Sequence, residues 1–229
     1  MSSAPILVKD VAELIGAELI GDPAVLLKAL GTIESAEAGD LSHLSSDSYR
    51  RYLSSTKAAA VILERKDLGA CPTNALVVTN AKQAFAKASH LFVKIKPSRV
   101  GVVHSSAVIS ESAKLDETAY VGPNVVIGDD VEVGAGVEVH SNVVLGDRVK
   151  LSKDVVVMPN VSIYDDVKIG CRTIVHSNTV IGSDGFGFEP SEMGMSDAVA
   201  QLGGVDIGTD VSIGSCSCID CGAIDDTII

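Results

Sequence analysis

A parallel β-helix of six-residue repeats, preceded by a small α/β domain and mainly β overall, is the fold class that three observations predict. From Val103 to Ile181 every sixth residue is Val, Ile or Leu, fourteen times in succession. The fifth residue of each of those sixes is Ala, Val, Thr or Gly. The chain is 46% hydrophobic yet only 3% aromatic, with no Trp, which suits a narrow core of Val, Ile and Ala. Neither the helical nor the strand period produces a repeat of six, whereas hexapeptide solenoids do.

The elements follow in chain order. Residues 1–98 lack the repeat. Val8, Val11, Ala12 and Ile15 fall at i, i+3, i+4 and i+7, one apolar helix face, and Ala84, Phe85, Ala88, Leu91 and Phe92 form another. "AAAVILE" (58–64) and "ALVVTN" (75–80) read as buried strands, so this part is a small α/β domain, with "KPSR" (96–99) as the junction. Residues 99–229 form the second domain. Each hexad there is a short strand and a turn, and three hexads close one triangular coil. The first-position aliphatic fills the interior, the fifth sits near the corner, and Gly, Asp or Asn supplies the turn. Coils stack at about 4.8 Å, the ordinary strand spacing, and each buries its faces on its neighbours. The register breaks after Phe186 for an inserted loop, 187–204, and resumes at Ile207, Ile213 and Ile219. A long excursion from an unbroken solenoid marks a working face.

Composition excludes several classes. A net charge of −12 without a basic run argues against nonspecific nucleic-acid binding. No apolar stretch is long enough to span a bilayer, and the N-terminus lacks a basic segment ahead of an apolar one, so no signal peptide is expected. Five cysteines without an export signal read as reduced thiols of a cytoplasmic protein.

Other features favour structural readings. His104, His140 and His176 occupy second positions 36 residues apart. They would stack roughly 10 Å apart, too far to share a zinc ion with ligands near 2 Å, and read as turn-face hydrogen bonders. Cys216, Cys218 and Cys221 fall at different hexad positions, with Cys171 more than two coils away. They read as small thiols, and no metal is expected. "GSDGFGF" lacks the following helix that a phosphate-cradling loop needs and reads as a flexible rim.

Four stretches carry a family resemblance: "GDLSHLSSDSYRRYL" (39–53), "VTNAKQAFAKA" (78–88), "VIGSDGFGF" (180–188) and "IDCGAIDDTII" (219–229). Together they resemble the UDP-3-O-(3-hydroxyacyl)glucosamine N-acyltransferases of lipid A biosynthesis, the last two matching that family's GxDGFGY and IDRGxxDDT segments. The resemblance implies a left-handed β-helix, a homotrimer, and a uridine-holding N-terminal domain. It further implies transfer of a 3-hydroxyacyl group from the phosphopantetheine of acyl carrier protein to the 2-amine of a UDP-glucosamine-type substrate, with no other cofactor.

Carried over by position, Tyr49, His43 and Ser46 are the candidate uridine contacts. The family has Phe where His43 stands and Asn where Ser46 stands; an imidazole still stacks, more weakly and with a pH-dependent charge. Asp184 and Phe186 are placed near the cleft. Asp220, Asp225 and Asp226 either line it or cap turns, and Cys221 stands where the family has Arg. The catalytic residue is unknown within the chain, since the family's general-base His is expected after Ile229; "IDCGAIDDTII" then reads as the middle of a solenoid. Two rival readings are another hexapeptide acyltransferase or acetyltransferase, and a non-catalytic solenoid or nucleotide-sugar-binding relic.

Overall fold

The computed structural model describes residues 5–93, 99–190 and 196–229 and divides into two compact units, 1–97 and 98–229. Residues 96–98 of the expected junction and 191–195 of the expected loop lie outside the described residues.

The first unit is built on a five-stranded sheet in the order Glu18–Ile20, Asn74–Val78, Ala60–Glu64, Asp40–His43, Ala29–Leu30. Only the first pairing is antiparallel. A strand covered on both faces must be apolar throughout, and Ala60–Glu64 shows why this one is. Ala60 and Ile62 pack with α1 (Val8–Ile15) and α2 (Ala81–Ser89) on one side, while Val61 and Leu63 pack with Leu44 and Leu53 on the other. Gly16, left-handed at φ 67°, ends α1. Asn80 caps α2 by accepting a hydrogen bond from the Gln83 amide at 3.0 Å. The helix stops at Ser89 and tightens into a 3-10 turn, His90–Phe92, which leaves Leu91 and Phe92 half-buried.

The second unit is a parallel β-helix of three sheets. Its strands are mostly two residues long, and the register is eighteen residues per coil, as in Tyr120↔Glu138↔Val156↔Ile174. First-position residues such as Val139, Leu145 and Ile163 and fifth-position residues such as Val137, Val143 and Val149 are all buried along one continuous axis. The fourth position turns the corner in the left-handed region, with φ of 55–63° at Asn124, Asp130, Asn142, Arg148, Asp154, Asn160, Asp166, Arg172, Asn178, Asp210 and Cys216. Asn and Asp tolerate that region better than other side chains. The two arginines there are compensated. Arg148 donates two hydrogen bonds to Asp166 (2.7 and 2.8 Å), and Arg172 two to Asp210 (2.7 and 2.6 Å). Both carboxyls are thereby held below the usual carboxylate range.

The insertion leaves the stack intact. Lys168 lies opposite Asp206, 38 residues on instead of eighteen, so twenty extra residues are accommodated, part of them as a hairpin of Phe188–Pro190 with Ser196–Ala198. Where the insertion departs, the fifth position changes from Val to Thr. The buried Thr173 and Thr179 hydroxyls donate to the Gly208 and Gly214 carbonyls of the returning coil, each at 2.9 Å. A second, smaller bulge follows. Asp206 faces Ile228, 22 residues on, and the Ile229 carbonyl accepts the Gly208 amide at 2.8 Å.

Candidate functional site

In the first unit, the strand Asp40–His43 ends at the rim of a cavity of about 440 Å³. This lies within the span of small-molecule sites, about 300–1,000 Å³, and at the carboxyl ends of parallel strands, where α/β sheets place ligands. Leu30, Gly31, Thr32 and Ile33 form one side of the cavity; Ser45, Ser46 and Tyr49, which follow the strand, form another. Gly31 is required there, because a Cβ would stand 2.7 Å from an Asp40 carboxylate oxygen and 2.9 Å from the Ala36 backbone.

The His43 ring stacks on Phe85 of α2, with centroids 3.8 Å apart and planes 14° from parallel. Burial disfavours the imidazolium and lowers the His43 pKa from its ordinary value near 6.5, so the ring is a neutral aromatic plate at neutral pH. Tyr49 lies on the 3-10 helix Asp47–Ser55 at the cavity and is 52% exposed, its ring tilted against that of Tyr52 with centroids 6.4 Å apart. Its neighbour Arg50 anchors that helix. The guanidinium donates to Asp67, 6% exposed, at 2.6 Å and pairs with Asp47 at 2.8 Å. The Ser46 and Ser48 hydroxyls are hydrogen-bonded at 2.9 Å.

The three residues singled out for uridine thus line one cavity. Phe85, Ile33 and Leu30 complete it and were not singled out. Phe85 had been assigned only to a helix's apolar face, and its place beside His43 depends on which strand α2 crosses.

In the second unit the remaining candidates gather where the insertion rejoins the stack. Asp220 accepts from the Ser183 hydroxyl at 2.8 Å, and its carbonyl accepts from Thr227 at 2.9 Å. Asp226 accepts from the Gly204 amide at 2.8 Å and lies 3.3 Å from the Lys168 ammonium. These bonds hold its carboxyl below the usual range, the Gly204 amide contributing most. Both are turn-fastening roles. Asp184 and Asp225 are exposed, and Phe186 is 94% exposed, its ring 5.1 Å from that of Phe188. Elsewhere His104 bonds to Ser106 and His140 to Glu138. Cys216 and Cys218 are exposed, Cys171 and Cys221 half-buried. Among the described residues no group of three or more His, Cys, Asp or Glu is arranged to hold a metal.

Two family models match the chain: "UDP-3-O-(3-hydroxymyristoyl) glucosamine N-acyltransferase, LpxD" over residues 24–91 and "GMPPB C-terminal domain" over residues 103–186. The UDP-3-O-acylglucosamine N-acyltransferase of Pseudomonas fluorescens is 42% identical over 95% of the chain, and that of Hahella chejuensis 47% over 96%. The chain spans 62% and 63% of their respective lengths. Among solved structures, perosamine N-acetyltransferase of Caulobacter crescentus aligns over 97% of this chain and 86% of its own, at 15% identity and a TM-score of 0.44. The UDP-N-acetylglucosamine acyltransferase of Francisella novicida aligns over 50% and 46%, at 28% identity and a TM-score of 0.35.

Proposed function

We propose that the chain, along the stretch it covers, belongs to the UDP-3-O-acylglucosamine N-acyltransferase family, binds the UDP-linked acylglucosamine substrate of lipid A synthesis and takes part in its N-acylation. The observation that carries this reading is the cavity of the first unit. It offers a neutral imidazole stacked on Phe85, an exposed Tyr49 ring, and the Ser45 and Ser46 hydroxyls around one largely apolar cavity. A flat nucleobase with polar edges needs that combination: aromatic area for its faces and a few donors and acceptors for its rim.

On this reading the sugar 2-amine attacks the thioester of a 3-hydroxyacyl group carried on the phosphopantetheine of acyl carrier protein. The C–N bond forms, the C–S bond breaks, a general base removes the ammonium proton, and the thiolate is protonated. Backbone amides stabilise the oxyanion. The chemistry requires no metal or diffusible cofactor. On this reading Asp184 and Phe186, beside the insertion, lie near the substrate cleft, as the family resemblance implies.

The assembly on this reading is a cytoplasmic homotrimer. Val108, Val126 and Val144 point outward from one sheet and are exposed, an apolar stripe of the kind that covers itself against further copies. No helix among the described residues is long and apolar enough to cross a membrane. Sedimentation equilibrium checks the assembly, a monomer mass counting against it.

The nucleotide site is tested by calorimetric titration of UMP into the chain. Wild type is expected to bind, and Tyr49→Ala to bind at least about tenfold more weakly, the loss of one aromatic stacking partner. Equal affinities would remove Tyr49 from the site.

A further inference from the structure

Resting on the nucleotide reading of this cavity, we propose that Phe85 is a positioning residue: it holds the His43 ring in the plane that a bound base stacks on. The backbone of the strand Asp40–His43 does not set that plane. It fixes where His43 starts, through strand pairing with Ile62 and the Leu44 amide bonded to the Ile62 carbonyl at 2.8 Å. The outer torsion of a histidine side chain is broad and roughly two-fold, so the backbone leaves the ring free to turn.

Phe85 removes that freedom. At 3.8 Å between centroids and 14° between planes the two rings are in face-to-face van der Waals contact, and a turn of the imidazole would drive its edge into the phenyl. The phenyl stands on a rigid support. α2 buries Ala81, Ala84 and Ala88 against the sheet, and its first turn is fastened by the Asn80 cap. One face of His43 is thus spent on Phe85, and a planar ligand has the other.

A phenyl ring in that place would make the same demand on orientation with more apolar area. An imidazole has less surface with which to find its own plane, so here the support matters more. Preorganisation of a ring contributes to affinity by removing an ordering cost at binding. Phe85 therefore acts through His43, and its effect should vanish when His43 is absent.

The experiment is a double-mutant cycle read by UMP titration on the whole chain: wild type, Phe85→Leu, His43→Ala and the double variant, each checked for folding by circular dichroism. Phe85→Leu is expected to weaken UMP about five- to tenfold. Phe85→Tyr, which keeps the aromatic face, should stay within about twofold. In the His43→Ala background, Phe85→Leu should cost less than about twofold. Should Phe85→Leu fail to fold, Phe85→Met replaces it in the same cycle. A loss that persists undiminished without His43 overturns the positioning role, because Phe85 then touches the ligand or only shapes the fold. Wild-type binding that tolerates Phe85→Leu overturns it alone and leaves the nucleotide site standing. No UMP binding by wild type overturns the nucleotide reading, and this assignment with it.

Discussion

Arg50→Ala is expected to destabilise the first unit, because buried Asp67 loses the guanidinium hydrogen bond that holds the 3-10 helix to it. Asp67 is 6% exposed, and it accepts from the Arg50 guanidinium at 2.6 Å. Removing the arginine leaves the buried Asp67 carboxylate without that hydrogen-bond donor. Arg50 is itself half exposed, which moderates the loss. The loss is expected to appear as a fall of several degrees in the melting temperature of the first unit. The same variant should weaken UMP, because the 3-10 helix that carries Tyr49 loses its anchor. Exchanging both partners for apolar residues, Arg50→Met with Asp67→Leu, is expected to restore most of the stability, since well-packed apolar replacements of buried pairs are commonly neutral. A melting temperature unchanged in Arg50→Ala would show that water reaches Asp67, and the anchoring role would fail.

Leu145→Ala should be severe for the second unit, at about 3 kcal/mol, within the range for large-to-small substitutions in a close-packed core. Leu145 is 1% exposed at a first position midway along the stack. The layers next to it are formed by Ile127 and Ile163, paired in register. Relaxation into the gap is limited, because each coil is hydrogen-bonded above and below at strand spacing and cannot approach its neighbours more closely. In a repeat stack, stability is a sum of units and nearest-neighbour interfaces. A lesion in the middle is therefore expected to broaden the urea transition, with a reduced slope, as the two halves unfold separately. A transition shifted by under 1 kcal/mol and equally steep would contradict this account of the core.

How much of this was legible in the sequence depended on the distance over which each feature is decided. The solenoid was legible because its rule repeats every six residues and each coil meets only its neighbours. Val137, Val143 and Val149 could be assigned to the interior without knowing anything else about the chain, and so could the place where the insertion leaves it. The four-residue bulge before Thr227 broke the hexad and left no periodic trace. His43, Ser46 and Tyr49 were marked by family resemblance and lie within seven residues of one another. Phe85 lies across the fold; its role follows from strand order and from the helix that packs there, neither of which periodicity encodes. For Asp220 and Asp226 the two readings turned on bonding partners, Ser183, Thr227, Gly204 and Lys168, that come together only when the insertion closes. Their bonds put them on the turn-fastening side.

The insertion also bears on how the stack forms. Coils eighteen residues apart in sequence give low contact order, the condition for rapid zipping from any completed turn. At the insertion the loop to be closed lengthens from eighteen to 38 residues. Loop-closure entropy grows only with the logarithm of length, so the added barrier is about 0.7 kcal/mol, roughly a threefold slowing of that one step. Thr173 and Thr179 wait on the near side with hydroxyls that recapture the chain as it returns. A solenoid can thus carry a long surface excursion at almost no kinetic penalty, and lengthening or shortening this one by several residues should scarcely alter the rate at which the coils beyond it assemble.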